Sequence, residues 1–364
     1  MKRFILATTA LTASAFAAQA GGLDRSNQDI GIIFESGNRF ELSFGRSSPT
    51  VDGNDGGTST GNVTGDFNII SGALRYELND QWSFAFIVDE PFGSDLTYPT
   101  VPGSTYGGTE GIVDSIAFTA LARYKFDDAW SVHGGVRYQE LEARVTLQGA
   151  GYGGLSGYNA NFGSDGAFGY VIGGAFEKPE IALRVALTYQ SAIKHDLPTT
   201  ENFGGPSADT RVQTPESLNL EFQTGVAKDT LVFGSIRYAR YSDTIVRPTV
   251  FAGFTPPGTS LTTIEDSTDY EIGVGRRFND QWSGSVAIGY QRENGDSLVS
   301  PLGPTDGAKY ISLGAKYQAS DRLDISAGAR YTNLGDAVAT TTLGSVPFAD
   351  NDAISIGIKI GYNF

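Results

Sequence analysis

The chain has 364 residues, including 47 glycines, and carries 18% charged residues with a formal net charge of −15. An average soluble domain has about 7% glycine and about 25% charged residues, so this chain is rich in glycine and poor in charge. The absence of cysteine excludes a disulfide framework and a thiolate zinc site, and two histidines leave little scope for another metal centre. The acidic balance argues against a nucleic-acid partner. No apolar run of about 18 residues is present, which excludes ordinary membrane-spanning helices. We expect no metal and no cofactor.

The N-terminus is typical of a secretory signal peptide. Lys2 and Arg3 give a positive start, residues 4–16 form a short apolar stretch, and residues 18–20 (Ala-Gln-Ala) fit the small-residue cleavage pattern. We therefore predict that residues 1–20 are removed and that the protein is exported. An exported chain of this composition is either a soluble periplasmic or secreted protein or an outer-membrane barrel.

Apolar residues alternate with small or polar residues along most of the chain. The clearest example is the segment 353–364, whose apolar face consists of Ile354, Ile356, Ile358, Ile360, Tyr362 and Phe364. Such a period of two predicts a strand with one apolar face. Aromatic residues flank these faces, with Trp82, Trp130 and Trp282 at strand starts, as expected of rings at a membrane interface. The opposite faces carry Arg, Lys and Glu, which favours a water-facing lumen over the core of a soluble sandwich.

The same pattern predicts fourteen strands. We place them at 38–47, 67–78, 81–88, 112–126, 129–147, 166–177, 181–194, 215–227, 230–241, 267–278, 281–292, 307–318, 322–333 and 353–364. An even number is what a bacterial single-chain barrel requires. Six short links alternate with seven long polar links, and barrels of this class keep short turns in the periplasm and long loops outside. The sequence thus predicts an all-β, 14-stranded antiparallel transmembrane barrel over residues 38–364.

Residues 21–37 precede the first strand and lack clean alternation. They contain several apolar residues that a disordered tail would not need, namely Leu23, Ile30, Ile32, Ile33 and Phe34. We predict a short plug, beginning at Gly21, in the periplasmic mouth of the barrel. The alternative is an ordinary lead-in to the first strand.

Two features bear on what passes through the barrel. Inward positions carry basic residues, among them Arg123, Arg137, Arg184, Lys316 and Arg330, which either pair within a solvated wall or hold a carboxylate ligand or the plug. The third strand breaks at Pro91-Phe92-Gly93, where Pro cannot donate to a ladder and Gly allows a bend. This break is either the end of the strand or a side opening toward lipid.

The chain resembles the FadL/TodX family of outer-membrane transporters for hydrophobic molecules. The resemblance rests on residues 91–93 after strand three, residues 189–195 (Tyr-Gln-Ser-Ala-Ile-Lys-His), Pro215 at the start of strand eight, and the terminal aromatic pair Tyr362 and Phe364. It implies capture at the outer loops, an apolar lumen site, lateral escape through a kink in strand three, and movement of an N-terminal hatch. The predicted hatch is shorter than is usual for the family and lacks its Asn-Pro-Ala motif.

We therefore predict a passive channel for hydrophobic molecules, with long-chain fatty acids as the expected ligands and aromatic or aliphatic hydrocarbons as further candidates. The candidate ligand contacts in the long loops are Phe92, Leu96, Tyr98, Tyr152, Phe162, Phe203, Phe251 and Phe254. A general porin for small hydrophilic solutes is the alternative. An enzyme is not expected, because the two histidines have no Ser–His–acid spacing around them. The expected partners are outer-membrane lipid and the barrel assembly machinery, which recognises a terminal strand ending in aromatic residues.

Overall fold

The computed structural model describes residues 23–293 and 298–364, so the predicted signal peptide and Gly21 lie outside the described residues. Fourteen antiparallel strands form the main sheet: β1 Arg39–Thr50, β2 Phe67–Glu77, β3 Trp82–Asp89, β4 Glu110–Lys125, β5 Trp130–Leu147, β6 Tyr158–Lys178, β7 Leu183–Gln190, β8 Ser217–Ala227, β9 Thr230–Ala239, β10 Ser267–Arg277, β11 Trp282–Gln291, β12 Ala308–Gln318, β13 Leu323–Leu334 and β14 Asp352–Asn363. Each strand pairs with its neighbours in the chain, and β14 pairs with β1 from Arg39↔Asn363 to Thr50↔Asp352. The sheet is therefore a closed barrel, and the prediction of an all-β, 14-stranded barrel is confirmed.

Two strand boundaries differ clearly from the prediction. β6 begins at Tyr158 instead of residue 166, because Tyr158, Ala160 and Phe162 continue its inward face beyond the membrane-facing part. The predicted strand 181–194 ends earlier, at Gln190, and a separate short strand Ile193–Leu197 pairs with Thr210–Thr214. Both differences lie at the outer end of the barrel, where the apolar residues move from the outward to the inward face of the strands.

Three of the short turns share one arrangement of side-chain hydrogen bonds. The side-chain Oδ1 of Asn79 accepts hydrogen bonds from the backbone N–H groups two and three residues further on, at 3.0 and 2.8 Å. Asn279 repeats the arrangement at 2.9 and 2.8 Å, and Asp127 at 2.8 and 2.7 Å. Asn and Asp favour turns because they can satisfy backbone donors in this way. In each case the third residue is a tryptophan, so the turn fixes an aromatic ring at the barrel rim.

The long connections cover the other end of the barrel. They contain the short strands Asn54–Asp55, Thr58–Ser59, Gly93–Thr97, Ile193–Leu197, Thr199–Glu201, Thr210–Thr214, Leu298–Val299, Ala337–Thr341 and Gly344–Phe348 and the helix α1 Thr249–Phe254. Single 3-10 turns occupy Gly31–Phe34, Ala150–Leu155, Pro179–Ile181 and Tyr241–Asp243. Within the described residues, no helix is both long and apolar enough to cross a membrane.

Aromatic rings form a band at each end of the barrel wall. Near the short turns, rings pair across strands, as in Trp82–Tyr124 and Trp282–Tyr317, each with centroids 4.8 Å apart. Near the long loops, tyrosines donate to carboxylates on the same surface, as in Tyr189 to Glu216 at 2.6 Å. An amphipathic ring with a wet hydroxyl is suited to the headgroup level, so the two bands mark the two membrane interfaces.

Strand β5 shows that the polarity of the two faces inverts along the barrel. Near the short turns, its outward Val136 is 57% exposed to the membrane side, whereas its inward Arg137 is 2% exposed. Beyond Tyr138 the inward residues become apolar, with Leu141 and Val145 each 5% exposed, and the outward residues become charged. The periplasmic half of the barrel thus has a polar interior, and the outer half has an apolar one.

Candidate functional site: an apolar cavity beside a break in the barrel wall

The periplasmic half of the lumen is lined by paired charges. Asp324 is the centre of one group, since its carboxylate contacts Arg39 at 2.7 Å and Lys316 at 3.2 Å. Arg330 contacts Glu271 at 3.1 Å, and the Nη1 of Arg137 donates to the Oε1 of Gln190 at 2.5 Å. Arg123 is paired with Glu177. Buried charges need such partners, because a lone charge out of water is costly.

Arg123 and a further inward arginine, Arg184, also hold the N-terminal segment. The ring of Phe34 lies between the guanidinium groups of Arg123 and Arg184, at 4.8 and 4.7 Å from its centroid. The His133 ring meets Phe34 edge-on at 5.3 Å. Cation–π contacts of this kind are strengthened when the groups are shielded from water. Arg123 and Arg184 therefore fix the N-terminal segment against the wall.

The described part of the N-terminal segment, residues 23–37, packs inside the barrel. Ile30, Ile32 and Ile33 are buried, and they pack with inward residues of three strands: Ala85, Ile87, Leu121 and Val171. Polar contacts support the packing, since Ser26 donates to Asp89 at 2.5 Å and Gln190 donates to the backbone carbonyl of Gln28 at 3.0 Å. Of the apolar residues predicted in the plug, Leu23 lies nearer the outer end of the barrel and lines the cavity described below.

The start of this segment joins the break that follows β3. The backbone N–H of Arg25 donates to the carbonyl of Pro91 at 2.9 Å, and the N–H of Gly93 donates to the carbonyl of Leu23 at 2.8 Å. The carboxylate of Asp24 is bound by Arg237 at 2.8 Å and by the hydroxyl of Tyr241 at 3.1 Å. The chain after β3 thus turns inward at residues 90–92 and pairs with the N-terminal segment, and Gly93–Thr97 then rejoins the wall on the β4 side, from Gly93↔Asp114 to Thr97↔Glu110.

This inward turn leaves an opening in the hydrogen-bonded wall. The β2–β3 ladder stops at Gly72↔Val88, and pairing resumes only at the isolated bridge Thr64↔Leu96. On the edge of β2 that faces β3, residues 66–71 have no ladder partner among the described residues. On the opposite edge, most of them pair with β1. At about 3.3 Å per residue, the wall opening is about 20 Å long.

A large apolar cavity lies on the inner side of the wall opening. Its walls enclose about 1590 Å³ of space, including the part that is open to solvent. It is lined by Phe92, Leu96 and Phe162 from the expected ligand contacts, together with Leu23, Val51, Phe67, Val113, Leu141, Val145, Leu197, Val212, Val246, Ile264, Leu302 and Leu334. Below, this space is called the lumen cavity. A concave, mostly apolar space with few polar groups is the usual form of a small-molecule site.

The other expected ligand contacts lie outside the lumen cavity. Tyr98 packs edge-on against Phe348 at 6.2 Å, and its hydroxyl donates to the Pro301 carbonyl at 2.8 Å. Burial raises the pKa of the Tyr98 phenol well above its ordinary value, so it stays neutral. Tyr152 packs on the same cluster of loop residues.

A second loop cluster contains Phe203, Phe251 and Phe254. Phe203 contacts the rings of Tyr158 at 5.6 Å and Phe254 at 5.8 Å. Phe251 is buried beneath them, whereas Phe254 is 60% exposed at the outer surface. The break itself places Pro91 inside, and it brings Phe92 and Gly93 to the edge of the lumen cavity.

Sequence reasoning missed most of the cavity wall. Leu141, Ala143 and Val145 line it, and they alternate with Glu142 and Arg144 along β5. The alternation is visible in the sequence and predicts a strand. It does not by itself indicate that the apolar residues have moved from the outward to the inward face. The signal for the cavity is a set of apolar residues at the inward-facing positions of a strand. They lie beyond the aromatic residue that marks the outer membrane interface.

These features together define a class of protein. A closed barrel with an apolar outer belt, aromatic bands at both ends and an apolar lumen cavity is an outer-membrane channel for hydrophobic molecules. Residues 39–364 match the sequence profile of the family described as outer membrane protein transport protein (OMPP1/FadL/TodX). The chain belongs to this FadL/TodX family, whose members are transport channels and not enzymes, and its location is the outer membrane.

Solved structures agree with the fold. A Pseudomonas aeruginosa FadL homologue is similar to this chain with a TM-score of 0.77 at 15% identity, covering 96% of this chain and 98% of the homologue. The P. putida toluene transporter TodX gives 0.64 at 15% identity, covering 92% of each chain. The CymD monoaromatic hydrocarbon channel gives 0.61 at 11% identity, covering 90% of this chain and 89% of CymD. No curated protein sequence matches the chain.

Proposed function

We propose that this channel takes up hydrophobic molecules passively, by capture at the outer loops, binding in the lumen cavity and sideways release through the wall opening. The observation that carries the proposal is that the lumen cavity and the wall opening adjoin, with Pro91, Phe92 and Gly93 at their boundary. An apolar solute is stabilised in such a cavity relative to water. A side exit then delivers it to the membrane without a second passage through water.

In this proposal residues 21–37 act as a plug and residues 38–364 as the barrel. The buried isoleucines and the Phe34 contacts support this role, because they occupy the periplasmic half of the lumen. A general porin would need that space to be open. A large, steady ion conductance in single-channel recordings would favour the porin alternative and contradict the plug.

We propose long-chain fatty acids as ligands, with aromatic and aliphatic hydrocarbons as the other candidates. The solved relatives named as toluene and monoaromatic hydrocarbon channels support the second group. We assign ligand contact in the cavity to Phe92, Leu96 and Phe162, and first contact at the surface to Phe254. The remaining loop aromatics, Tyr98, Tyr152, Phe203 and Phe251, then support the loops that surround the cavity.

We further propose outer-membrane lipid and the barrel assembly machinery as partners. Tyr362 and Phe364 are 41% and 56% exposed, at the end where β14 closes the barrel against β1. This position would make them accessible to an assembly factor and then to lipid.

The proposal is tested by uptake of radiolabelled palmitate and toluene into cells with and without the protein. A Pro91→Val/Gly93→Val variant supplies strand-forming residues at the break and places a side chain against the Arg25 guanidinium in the wall opening, so we expect it to reduce uptake toward the level of cells without the protein. Gly253→Ala is the matched control, because a Cβ at Gly253 would meet no other atom within 4 Å. Uptake of both compounds that is independent of the protein would refute the proposed function.

A further inference from the structure

A second cavity lies on the outer side of the wall opening. It encloses about 1100 Å³, including the part that is open to solvent, and we call it the outer cavity. Six carboxylates line it: Asp66, Glu90, Asp95, Asp114, Glu140 and Glu142. Among the described residues, Arg25 is its single basic lining residue. The acidic residues come from separate segments, so the negative charge surrounds the opening on several sides.

Arg25 separates the two cavities. It lines both, and it is only 8% exposed. Its guanidinium lies 4.8 Å from the ring of Phe67 on β2 and 3.8 Å from the carboxylate of Asp114 on β4. Gly93 lies directly beneath, where a Cβ would collide with the guanidinium. A molecule that leaves the lumen cavity sideways must therefore pass Arg25 and then the carboxylates.

The charges around the opening do not balance. Asp66 is neutralised by Arg46, which lies 2.6 Å away. Five carboxylates then remain against one guanidinium, and Asp114, Glu90 and Asp95 all interact electrostatically with Arg25. Within the described residues, no basic side chain lies within ion-pair distance of Glu140 or Glu142. A carboxylate that enters this region is repelled by more groups than attract it, whereas an uncharged molecule is not affected.

We propose that the carboxylates of the outer cavity act as a charge filter for sideways release. They pass uncharged hydrophobic molecules, namely hydrocarbons, long-chain alcohols and fatty acids in their protonated form, and they hold back ionised fatty acids. This inference rests on the proposed function, and it names the substrate class of the same route. Arg25 is outnumbered at this position, so it serves as the counter-ion of the wall and not as a receptor for a ligand carboxylate.

The test compares two ligands of equal length, radiolabelled hexadecanol and palmitate, at an alkaline pH where free palmitate is ionised. Uptake by cells without the protein is subtracted. We expect protein-dependent uptake of the alcohol to exceed that of the acid. The variant Asp114→Asn/Glu142→Gln removes two charges without changing size, and it should raise palmitate uptake on the order of tenfold while leaving hexadecanol uptake unchanged.

Asp243→Asn is the matched control. Asp243 is a half-exposed carboxylate in the connection between β9 and β10, it pairs with Arg240, and it does not line the outer cavity. It should leave both uptakes unchanged. Equal uptake of acid and alcohol by the unmodified protein, or no gain of palmitate uptake in the double variant, would overturn the charge filter. Loss of protein dependence for both ligands would instead refute the proposed function, so the two failures are distinguishable.

Discussion

The two halves of the barrel use the same strands in opposite ways. In the periplasmic half, outward residues such as Val136 face lipid and inward residues such as Arg137 are buried in a paired polar network. In the outer half of the same strand, inward Leu141 and Val145 line an apolar cavity and outward Arg144 faces water. The strand geometry does not change between them. What changes is the medium on each side of the wall. The polarity of a strand face is therefore determined by the medium that it contacts and not by the strand geometry.

The halves also differ in what fills them. The periplasmic half contains the part of the N-terminal segment around Ile30 to Phe34, and many of its charges have partners on the wall, as Asp324 has in Arg39. The outer half has unfilled space, which is the lumen cavity. Removing a group should therefore be costly in the first half and better tolerated in the second. The predictions below test this difference.

The largest effect is expected from Asp324→Ala in the periplasmic half. This change leaves the Arg39 guanidinium, which is 4% exposed, and the partly buried Lys316 without their shared carboxylate. Breaking a buried pair by removing one partner costs about 3–5 kcal/mol, and we expect the lower end of this range because Arg39 keeps Glu41 at 2.7 Å. The measurement is the free energy of unfolding by urea in lipid vesicles. Asp352→Ala is the control, because Asp352 lies at the outer rim, where its carboxylate accepts a 3.2 Å hydrogen bond from the Tyr331 hydroxyl. Equal losses in the two variants would contradict the proposed contrast.

A pair of arginine substitutions on the outward face of β5 sharpens the comparison further. Val136→Arg places a charge on the lipid-facing surface between the aromatic bands, where arginine costs about 2–4 kcal/mol at the bilayer midplane. Thr146→Arg lies on the same face beyond the outer band, near the naturally outward Arg144, and should cost only about 0.5–1.5 kcal/mol, the contribution of the 2.9 Å hydrogen bond that Asn159 donates to the Thr146 hydroxyl. Both are measured by unfolding in vesicles. If Thr146→Arg were as costly as Val136→Arg, the membrane boundary near Tyr138 would be wrong.

The sequence was sufficient for the fold because period-two alternation survives wherever lipid and lumen face opposite sides of a strand. Ile354 to Ile360 is the clearest case, and β14 lies where it was predicted. The lumen cavity was harder, since Leu141 and Val145 show the same alternation and only the change of face distinguishes them. The Phe34 site between Arg123 and Arg184 could not be predicted, because those residues are distant in sequence and meet only after closure.

The wall opening shows the same limit. Pro91 and Gly93 indicate a break in β3, and the sequence left open whether it was a strand end or a side opening. The difference depends on residues 66–71 lacking a ladder partner on the β3 side among the described residues, and on Arg25 lying across the gap. These are long-range pairings, and no local propensity encodes them. The outer-loop aromatics were likewise identified by residue type, and only Phe92 and Phe162 among them line the lumen cavity.

A matched pair of phenylalanines compares the cavity with the loop core that surrounds it. Phe162→Ala removes a ring that lines the lumen cavity, whereas Phe251→Ala removes one that is packed against Tyr158 at 5.6 Å in the second loop cluster and does not line it. A full Phe→Ala truncation in a core costs about 3–5 kcal/mol, and we expect Phe162→Ala to cost less because one side of its ring already faces open space. Hydrophobic uptake should fall several-fold only in Phe162→Ala. An equal fall in both variants would show that the loops, and not the cavity wall, limit uptake.

The smallest effect concerns the solvent-exposed turns of the periplasmic rim. Asn279→Ala removes two hydrogen bonds to backbone donors, at 2.9 and 2.8 Å, that hold the turn before Trp282. A cap of this kind contributes about 0.5–2 kcal/mol, and solvent at this exposed turn replaces part of the loss. We therefore expect a decrease near the lower end of that range in vesicle unfolding. Asn279→Asp keeps the acceptor, as Asp127 does in the equivalent turn, and should restore the stability of the unmodified chain. If Asn279→Asp failed to restore the stability, the loss in Asn279→Ala would not come from the hydrogen bonds of the turn. It would then have to come from a change in the position of the Trp282 ring at the interface.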